Sequence, residues 1–365
     1  MEFKVQDSEL LTPYSSTSMP NFFSRLSYPI TSVNLTQRVK SQEDKLPVRN
    51  ASCRSQFLLH AAPTSKVCLF FHGFTAAPYQ FLPLGRVLHK AGYNVLIPRM
   101  PGHGQTGDWN RDNPPPLPTN PETYQQFGLD WLQKAQTLGD RVVVGGLSGG
   151  GTLAAWLALE RAKDIDRALL FAPYLSSSNK VVDLFVKTFN TYFEWIDDTP
   201  SDQVIGYEGF MVAALRVYLE MGKEILKRSK DQPSAPMFIV STEADKATSA
   251  TDHQALFENV LKRQPKSWYY EFDRILNIPH TMLTKAEGNK WENLLNVIAK
   301  AYVQSELTWA EVEEIAYRMT DGKTFNQVVA ELNVADRASP DMPAFITMVD
   351  KRAIVLKRNP SLNQD

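Results

Sequence analysis

The chain has 365 residues, room for two modest domains or one large domain with attachments. Hydrophobic residues at 43% and charged residues at 22% lie near the globular average, which excludes a fibrous repeat and disorder along the whole length. With 39 Lys and Arg against 40 Asp and Glu, the net charge of −1 supplies no field for holding a polyanion, so nucleic-acid binding is not expected.

Cys53 and Cys68 are the only cysteines, too few for a disulfide scaffold, and Cys68 lies in an apolar run; a reducing, cytoplasmic setting is expected. Glu2, Asp7 and Glu9 stand where a secretory leader would be basic and then apolar, so none is expected. No apolar run reaches the eighteen or so residues of a membrane helix. Contact with a membrane surface and the oligomeric state stay open.

Residues 1–54 read as a polar, irregular extension that wraps the surface, with Ser15-Ser16-Thr17-Ser18, Pro20 and Pro29 interrupting short aromatic clusters. From Ser55 short apolar runs alternate with helical stretches, the pattern of a mostly parallel central sheet flanked by helices. Strands are expected at 57–60, 67–71, 93–98, 142–144, 168–171, 237–241 and 268–272. Helices are expected at 83–91, 121–138, 149–162, 250–263 and 290–304. The interval 175–235 is too long for a simple crossover and carries two amphipathic patterns, which predict an inserted helical cap. The first puts Val181, Val182, Phe185, Phe189, Tyr192, Phe193 and Ile196 on one helix face; the second does so with Met211, Leu215, Tyr218 and Ile225.

Beyond the α/β region of 55–304, residues 305–365 read as a C-terminal helical module. Thr308 and Glu311 form a capping-box pattern at the start of a helix over 307–319, and Asp321-Gly322 joins it to a second over 324–332. The pair resembles a helix-turn-helix, but ten acids against seven bases in the segment contradict a phosphate-binding role. Trp309, Val312, Ile315, Ala316 and Met319 recur at helical spacing and are expected to pack on the core or on a partner chain.

The chemistry centres on Gly146-Leu147-Ser148-Gly149-Gly150. This spacing suits a nucleophile elbow, in which a serine occupies a strained strand-to-helix turn and small neighbours allow strand and helix to approach. Three fixed positions recur by chance in about one chain of this length in ten. The flanks sharpen the signal: Val142-Val143-Val144 reads as a buried strand, and Gly149 to Ala155 as a helix start lined with small residues. Val67 to Phe74 reads as a second buried strand entering a loop, where the Phe74 N–H, together with the Gly149 N–H, would face a developing oxyanion.

A serine hydroxyl needs a base, and the base needs an anion to fix its tautomer. Among six histidines, His60 and His72 precede the serine, His89 lies in an expected helix, His103 in a turn and His253 near a helix start. His280, in the loop after the last apolar strand, holds the place expected of the base. Asp245 follows the strand at 237–241, at the carboxyl end where α/β sites collect, with Glu243 and Asp252 as the nearest rivals.

His72-Gly73-Phe74, Gly92-Tyr93, Pro98-Arg99, Pro101-Gly102-His103-Gly104, the elbow at Ser148, Asp245 and His280 occur in an order that resembles the α/β-hydrolase superfamily. The branch they are similar to is that of bacterial carboxylesterases, monoacylglycerol lipases and lysophospholipases, over about residues 55–304. The resemblance implies an α/β-hydrolase fold, a Ser148–His280–Asp245 triad with Phe74 and Gly149 as oxyanion donors, and cleavage of a small-molecule ester through an acyl-enzyme. The cap's aromatic residues favour an apolar, lipid-like acyl group. No metal or organic cofactor is called for, since no cluster of His, Cys or Asp has ligand spacing. Acyl transfer, thioester cleavage or peptide cleavage would use the same triad, and a binding protein that keeps the fold without turnover is the reading from another class.

Overall fold

Side-chain alternation along the strands decides the architecture. In the computed structural model, which describes residues 22–195 and 205–359, strand β2 (Lys66–Phe71) sends Val67, Leu69 and Phe71 into one buried cluster and Cys68 and Phe70 into another. A strand apolar at successive positions has to be covered on both faces, which a parallel sheet with crossover helices provides. β1 (Gln56–Leu58), β3 (Asn94–Ile97), β4 (Arg141–Leu147), β5 (Arg167–Phe171), β8 (Met237–Thr242) and β9 (Trp268–Phe272) complete the sheet around two further strands, β6 and β7, that lie apart from it. The order is β1-β3-β2-β4-β5-β8-β9, with β1 antiparallel to β3 and the other pairs parallel.

Between them run α2 (Leu82–Lys90), α3 (Pro121–Gln136), α4 (Gly149–Glu160), α7 (Ala250–Leu261) and α8 (Glu292–Val303), so the expected sheet and helices appear with ends shifted by at most three residues. One face of the sheet is covered by α3, α4 and α7, the other by α2 and α8. Among the described residues no helix is long and apolar enough to cross a membrane.

Two expectations are corrected. Residues 1–54 are not irregular throughout: α1 spans Phe22–Glu43 with Pro29 inside it. Tertiary bonds hold it, because Tyr28 Oη donates to Asn94 Oδ1 at 3.0 Å and buried Glu43 accepts from Ser55 Oγ at 2.7 Å and pairs with Arg99 at 3.4 Å. With Ile30 and Val33 exposed, the helix lacks the apolar stripe a periodicity reading depends on.

The second correction concerns 175–235. Helix α5 covers only Lys180–Thr188, and Tyr192 and Phe193 belong instead to β6 (Tyr192–Glu194), which pairs antiparallel with β7 (Gly209–Met211) ahead of α6 (Val212–Arg228). The expected inner face of α5 is also turned: Val181, Val182 and Phe189 are exposed, while Asp183 and Val186 face inward. The roll satisfies a buried donor, since Asp183 Oδ1 accepts the Ser177 N–H at 2.8 Å. Ile196 lies outside the described residues. On α6, Tyr218 and Ile225 are buried as expected.

After α8 come α9 (Trp309–Met319), α10 (Phe325–Glu331), α11 (Met342–Met348) and α12 (Lys351–Arg358). Thr308 and Glu311 form the expected capping box at α9. Val312, Ile315 and Ala316 join the buried cluster of the sheet face covered by α2 and α8, so this face of α9 is packed on the core as expected. Phe345 of α11 stacks on Trp268 of β9 at 5.1 Å and 3°. At the junction the nearly buried Arg167 guanidinium donates to the carbonyls of Tyr302 and Ser305 and pairs with Asp166 and Glu306.

Replacing Phe345 by Ala should therefore cost about 3–5 kcal/mol through the cavity left beside Trp268, whereas Thr308→Ala, which removes one cap, should cost about 1 kcal/mol. Urea unfolding of the two variants checks the ratio; a Phe345→Ala loss no larger than that of Thr308→Ala would show that α11 is not part of the core.

Candidate active site

β4 delivers the candidate serine. The strand ends at Leu147, α4 begins at Gly149, and Ser148 between them has φ 54° and ψ −118°. Such a conformation costs a non-glycine residue on the order of 1–3 kcal/mol unless its surroundings enforce it. Here the Ser148 N–H donates to the Phe171 carbonyl at 2.9 Å, and the Ser148 carbonyl accepts from Thr152 at 2.9 Å and Tyr174 at 3.1 Å. The glycine spacing has a steric cause. A Cβ on Gly146 would lie 2.1 Å from the Gly150 carbonyl oxygen, and one on Gly150 would lie 2.1 Å from that of Phe71, so neither position admits a side chain. Ser148 itself is half-buried.

The acid and base come from the loops after the last two strands along the same edge, beyond β5. Asp245 follows β8 and His280 follows β9, and the structure brings them together: His280 Nδ1 donates to Asp245 Oδ2 at 2.8 Å. The same carboxylate accepts from Thr248 Oγ1 at 2.6 Å and from the N–H groups of Ala247 and Thr248 at 2.7 and 3.2 Å. A proton held on Nδ1 leaves the Nε2 lone pair free to accept one, the tautomer a general base needs. Burial opposes the Asp245 charge, but the hydrogen bond and charge of His280, then Thr248 and Ala247, outweigh it and bring the carboxyl from 3.8 to about 2.

The rivals have other partners. Glu243 is exposed and accepts from the Arg274 N–H, while Asp252 accepts from Ser176 Oγ and Lys180. Buried His253 bonds Ser241 Oγ at 2.6 Å and the Pro173 carbonyl at 2.8 Å. His72 donates to the Gly73 carbonyl and accepts from the Met100 N–H, so it is a loop brace, as its place before the serine suggested. His103 donates to the Pro101 carbonyl, and burial lowers it to about 4. His60 and His89 stack on each other at 4.1 Å. Of the six histidines, His280 is the one hydrogen-bonded to a carboxylate.

Phe74 and Gly149 leave the sheet side by side. β2 and β4 are neighbours in register at Phe71 and Gly146, and each candidate donor sits three residues beyond that pair. The Gly73 N–H is engaged by Gln80 Oε1 at 2.8 Å and Thr75 takes φ 63°, a turn with Phe74 at its apex. The Phe74 ring packs on Phe210 at 4.9 Å and on Tyr218 at 5.5 Å. Tyr218 also lies over Gly149, its ring 3.0 Å from where a Cβ would stand.

Two features escaped the sequence reading. The β6–β7 hairpin grips the Phe74 turn, with Trp195 Nε1 donating to Thr75 Oγ1 at 3.1 Å and the Tyr207 N–H to the Thr75 carbonyl at 2.8 Å. Alternating aromatics at Tyr192-Phe193-Glu194-Trp195 were the available strand signal. The second feature, a hydrogen-bonded cluster of Tyr79, Gln80 and Glu287, has no motif because its members come from loops some two hundred residues apart.

Comparison with known proteins places this geometry. A protein-family model described as "Serine aminopeptidase, S33" matches residues 62–272, more than half of the chain. A thermostable monoacylglycerol lipase of Bacillus sp. (strain H-257) is 40% identical over 92 residues, 25% of this chain and 34% of that lipase, so the chain matches about a third of that relative's length. Among solved structures, a metagenome-derived lipolytic enzyme described with LipS and LipT superposes with a TM-score of 0.56 at 16% identity, covering 69% of this chain and 98% of that one. A monoacylglycerol lipase of Paleococcus ferrophilus gives 0.53 at 16% identity over 67% and 95%. At that identity the two structures establish the fold, which is that of the α/β-hydrolases.

The carboxylate–imidazole bond generates a pH prediction. The Asp245 carboxyl is held below its unfolded value, so it stabilises the fold above about pH 4, and that stability is lost as the pH falls through about 2. Asp245→Asn should be less stable than the parent by on the order of 2 kcal/mol near neutrality, with the gap closing between about pH 4 and pH 2. Denaturant midpoints across that range check it; a gap independent of pH would point to lost packing and not to lost charge.

Proposed function

The chain belongs to the serine aminopeptidase S33 family, within the α/β-hydrolases, and on that premise we propose that it is a serine hydrolase that cleaves carboxylic esters with an apolar acyl group. The observation that carries the reading is the Asp245–His280 hydrogen bond on the sheet edge where Ser148 occupies a strained elbow. Ester cleavage is favoured over the peptide cleavage in the family's description by the kinship with a monoacylglycerol lipase and by the aromatic rings beside both proposed oxyanion donors.

In the proposed reaction His280 Nε2 takes the Ser148 proton as Oγ attacks the acyl carbonyl. The carbonyl oxygen becomes an anion between the N–H groups of Phe74 and Gly149, which stabilise charge that exists only in the transition state. His280, now cationic against Asp245, returns its proton to the departing alcohol, leaving an acyl-enzyme. Water activated by the same imidazole then releases the acid.

In this reading 55–304 is the catalytic domain, 175–235 its cap and 305–365 an accessory module without a catalytic residue. Phe210 and Tyr218, both fully buried, form apolar packing behind Phe74 and Gly149, and the acyl chain is proposed to lie on the cap side of that packing. Both cysteines are buried and free, which suits a cytoplasmic setting.

Ser148→Ala should abolish both hydrolysis of a short p-nitrophenyl ester and labelling by a fluorophosphonate, with thermal unfolding unchanged; labelling that persists in this variant refutes the assignment of the nucleophile. Along an acyl series the parent's kcat/KM should rise about fourfold per methylene, the equivalent of about 0.8 kcal/mol, until the apolar packing is covered. A flat profile from two to twelve carbons would remove the cap from the acyl site.

A further inference from the structure

The turn that carries Phe74 and the loop that carries His280 leave β2 and β9, and β4, β5 and β8 lie between those strands. Four inter-strand steps of about 4.8 Å separate them, so the ladder of the sheet does not itself fix where one loop stands relative to the other. A side-chain bridge does. The Gly73 N–H donates to Gln80 Oε1 at 2.8 Å, and Gln80 Nε2 donates to Glu287 Oε1 at 2.7 Å. Chemistry fixes the orientation of this buried amide, because only its oxygen can accept from an N–H and only its nitrogen can donate to a carboxylate. Tyr79 Oη donates to the same Glu287 oxygen at 2.7 Å.

On the other side Glu287 is tied to the histidine loop. Thr284 Oγ1 donates to Glu287 Oε2 at 3.1 Å, the Glu287 N–H donates to Thr284 Oγ1 at 3.2 Å, and Thr281 Oγ1, next in sequence to His280, donates to the Glu287 carbonyl at 3.3 Å. Three side-chain donors converge on one carboxylate that the proposed triad does not use. Burial is the largest influence and leaves its pKa raised, while those donors and the nearby charge of His280 pull it in the opposite direction.

We infer that Glu287, acting through Gln80, is a positioning residue that locks the Gly73–Phe74 turn to the His280 loop, so that oxyanion donor and base keep a fixed separation. The inference rests on the reading of Ser148, His280 and Asp245 as a triad with Phe74 as a donor. Because the donor is used in the transition state and not in binding the ester, loosening the bridge should lower kcat and leave KM nearly unchanged.

The test measures kcat and KM on p-nitrophenyl butyrate, with thermal unfolding, for the full chain and three variants. Gln80→Met keeps the side chain's length and removes both bonds. Gln80→Glu keeps the acceptor for Gly73 but sets a second carboxylate against Glu287. The double exchange Gln80→Glu with Glu287→Gln rebuilds the bridge with its donor reversed. Both single variants should lose about tenfold or more in kcat with KM within about threefold of the parent, and the double exchange should return kcat to within about threefold. A Gln80→Met enzyme with parental kcat overturns the inference. So does a loss that the double exchange fails to restore, or one that follows the unfolded fraction. Ser148→Ala distinguishes the two levels: if it is inactive while the bridge variants turn over normally, this inference alone fails, and if it stays active, the triad reading fails and takes the inference with it.

Discussion

The close approach of α4 to the first turns beyond β2 and β4 is the constraint on which the rest of the site depends. Two carbonyl oxygens, those of Gly150 and Phe71, occupy the space that side chains on Gly146 and Gly150 would fill. Only because both positions lack a Cβ can the chain reverse within one residue and leave Ser148 at φ 54°, half-buried above the sheet. A helix that begins at once after a strand also aims its first N–H groups back at that strand's end, so the geometry that exposes the hydroxyl places the Gly149 amide beside it. The proposed nucleophile and the proposed donor are thus one consequence of packing two backbones closely.

The other members follow from parallel topology. In a sheet whose central strands all run one way, the loop after each strand opens on the same edge, so Phe74 after β2, Ser148 after β4, Asp245 after β8 and His280 after β9 emerge together although more than two hundred residues separate the first from the last. This made much of the fold and candidate site legible in sequence. Continuous apolar runs such as 67–71 and 142–144 announce strands covered on both faces, and the elbow and the loop positions of Asp245 and His280 follow from their places in that alternation. The capping box of Thr308 and Glu311 was equally plain, because its chemistry is local.

What sequence did not disclose is held by contacts between distant segments. Helix α1 contains Pro29 and shows no apolar stripe; its order comes from Tyr28 on Asn94 and from Glu43 on Ser55 and Arg99. Helix α5 has a clear apolar pattern but is rolled so that Asp183 reaches Ser177, leaving Val181 and Phe189 in solvent. A hydrophobic pattern identifies a helix; which face turns inward is settled by the buried polar group that needs a partner. The β6–β7 hairpin was read as helix because its aromatic residues satisfy both periods over so short a run.

That hairpin ties the 175–235 insertion directly to the Phe74 turn of the candidate site. Thr75 accepts from Trp195 Nε1 at its side-chain oxygen and from the Tyr207 N–H at its carbonyl, and Gly206 lies so close that a Cβ there would come within 2.4 Å of the same carbonyl. Phe210, on the paired strand, packs edge-on against Phe74. The Phe74 turn is therefore gripped by the β6–β7 hairpin and tethered through Gly73 and Gln80 to the histidine loop. In the proposed reaction the surface that receives the acyl chain and the amide that stabilises the oxyanion belong to one connected set of contacts. A displacement of the hairpin would have to move Thr75, and Thr75 adjoins Phe74; in the proposed reaction, substrate fit and transition-state stabilisation would thereby be coupled through a single turn.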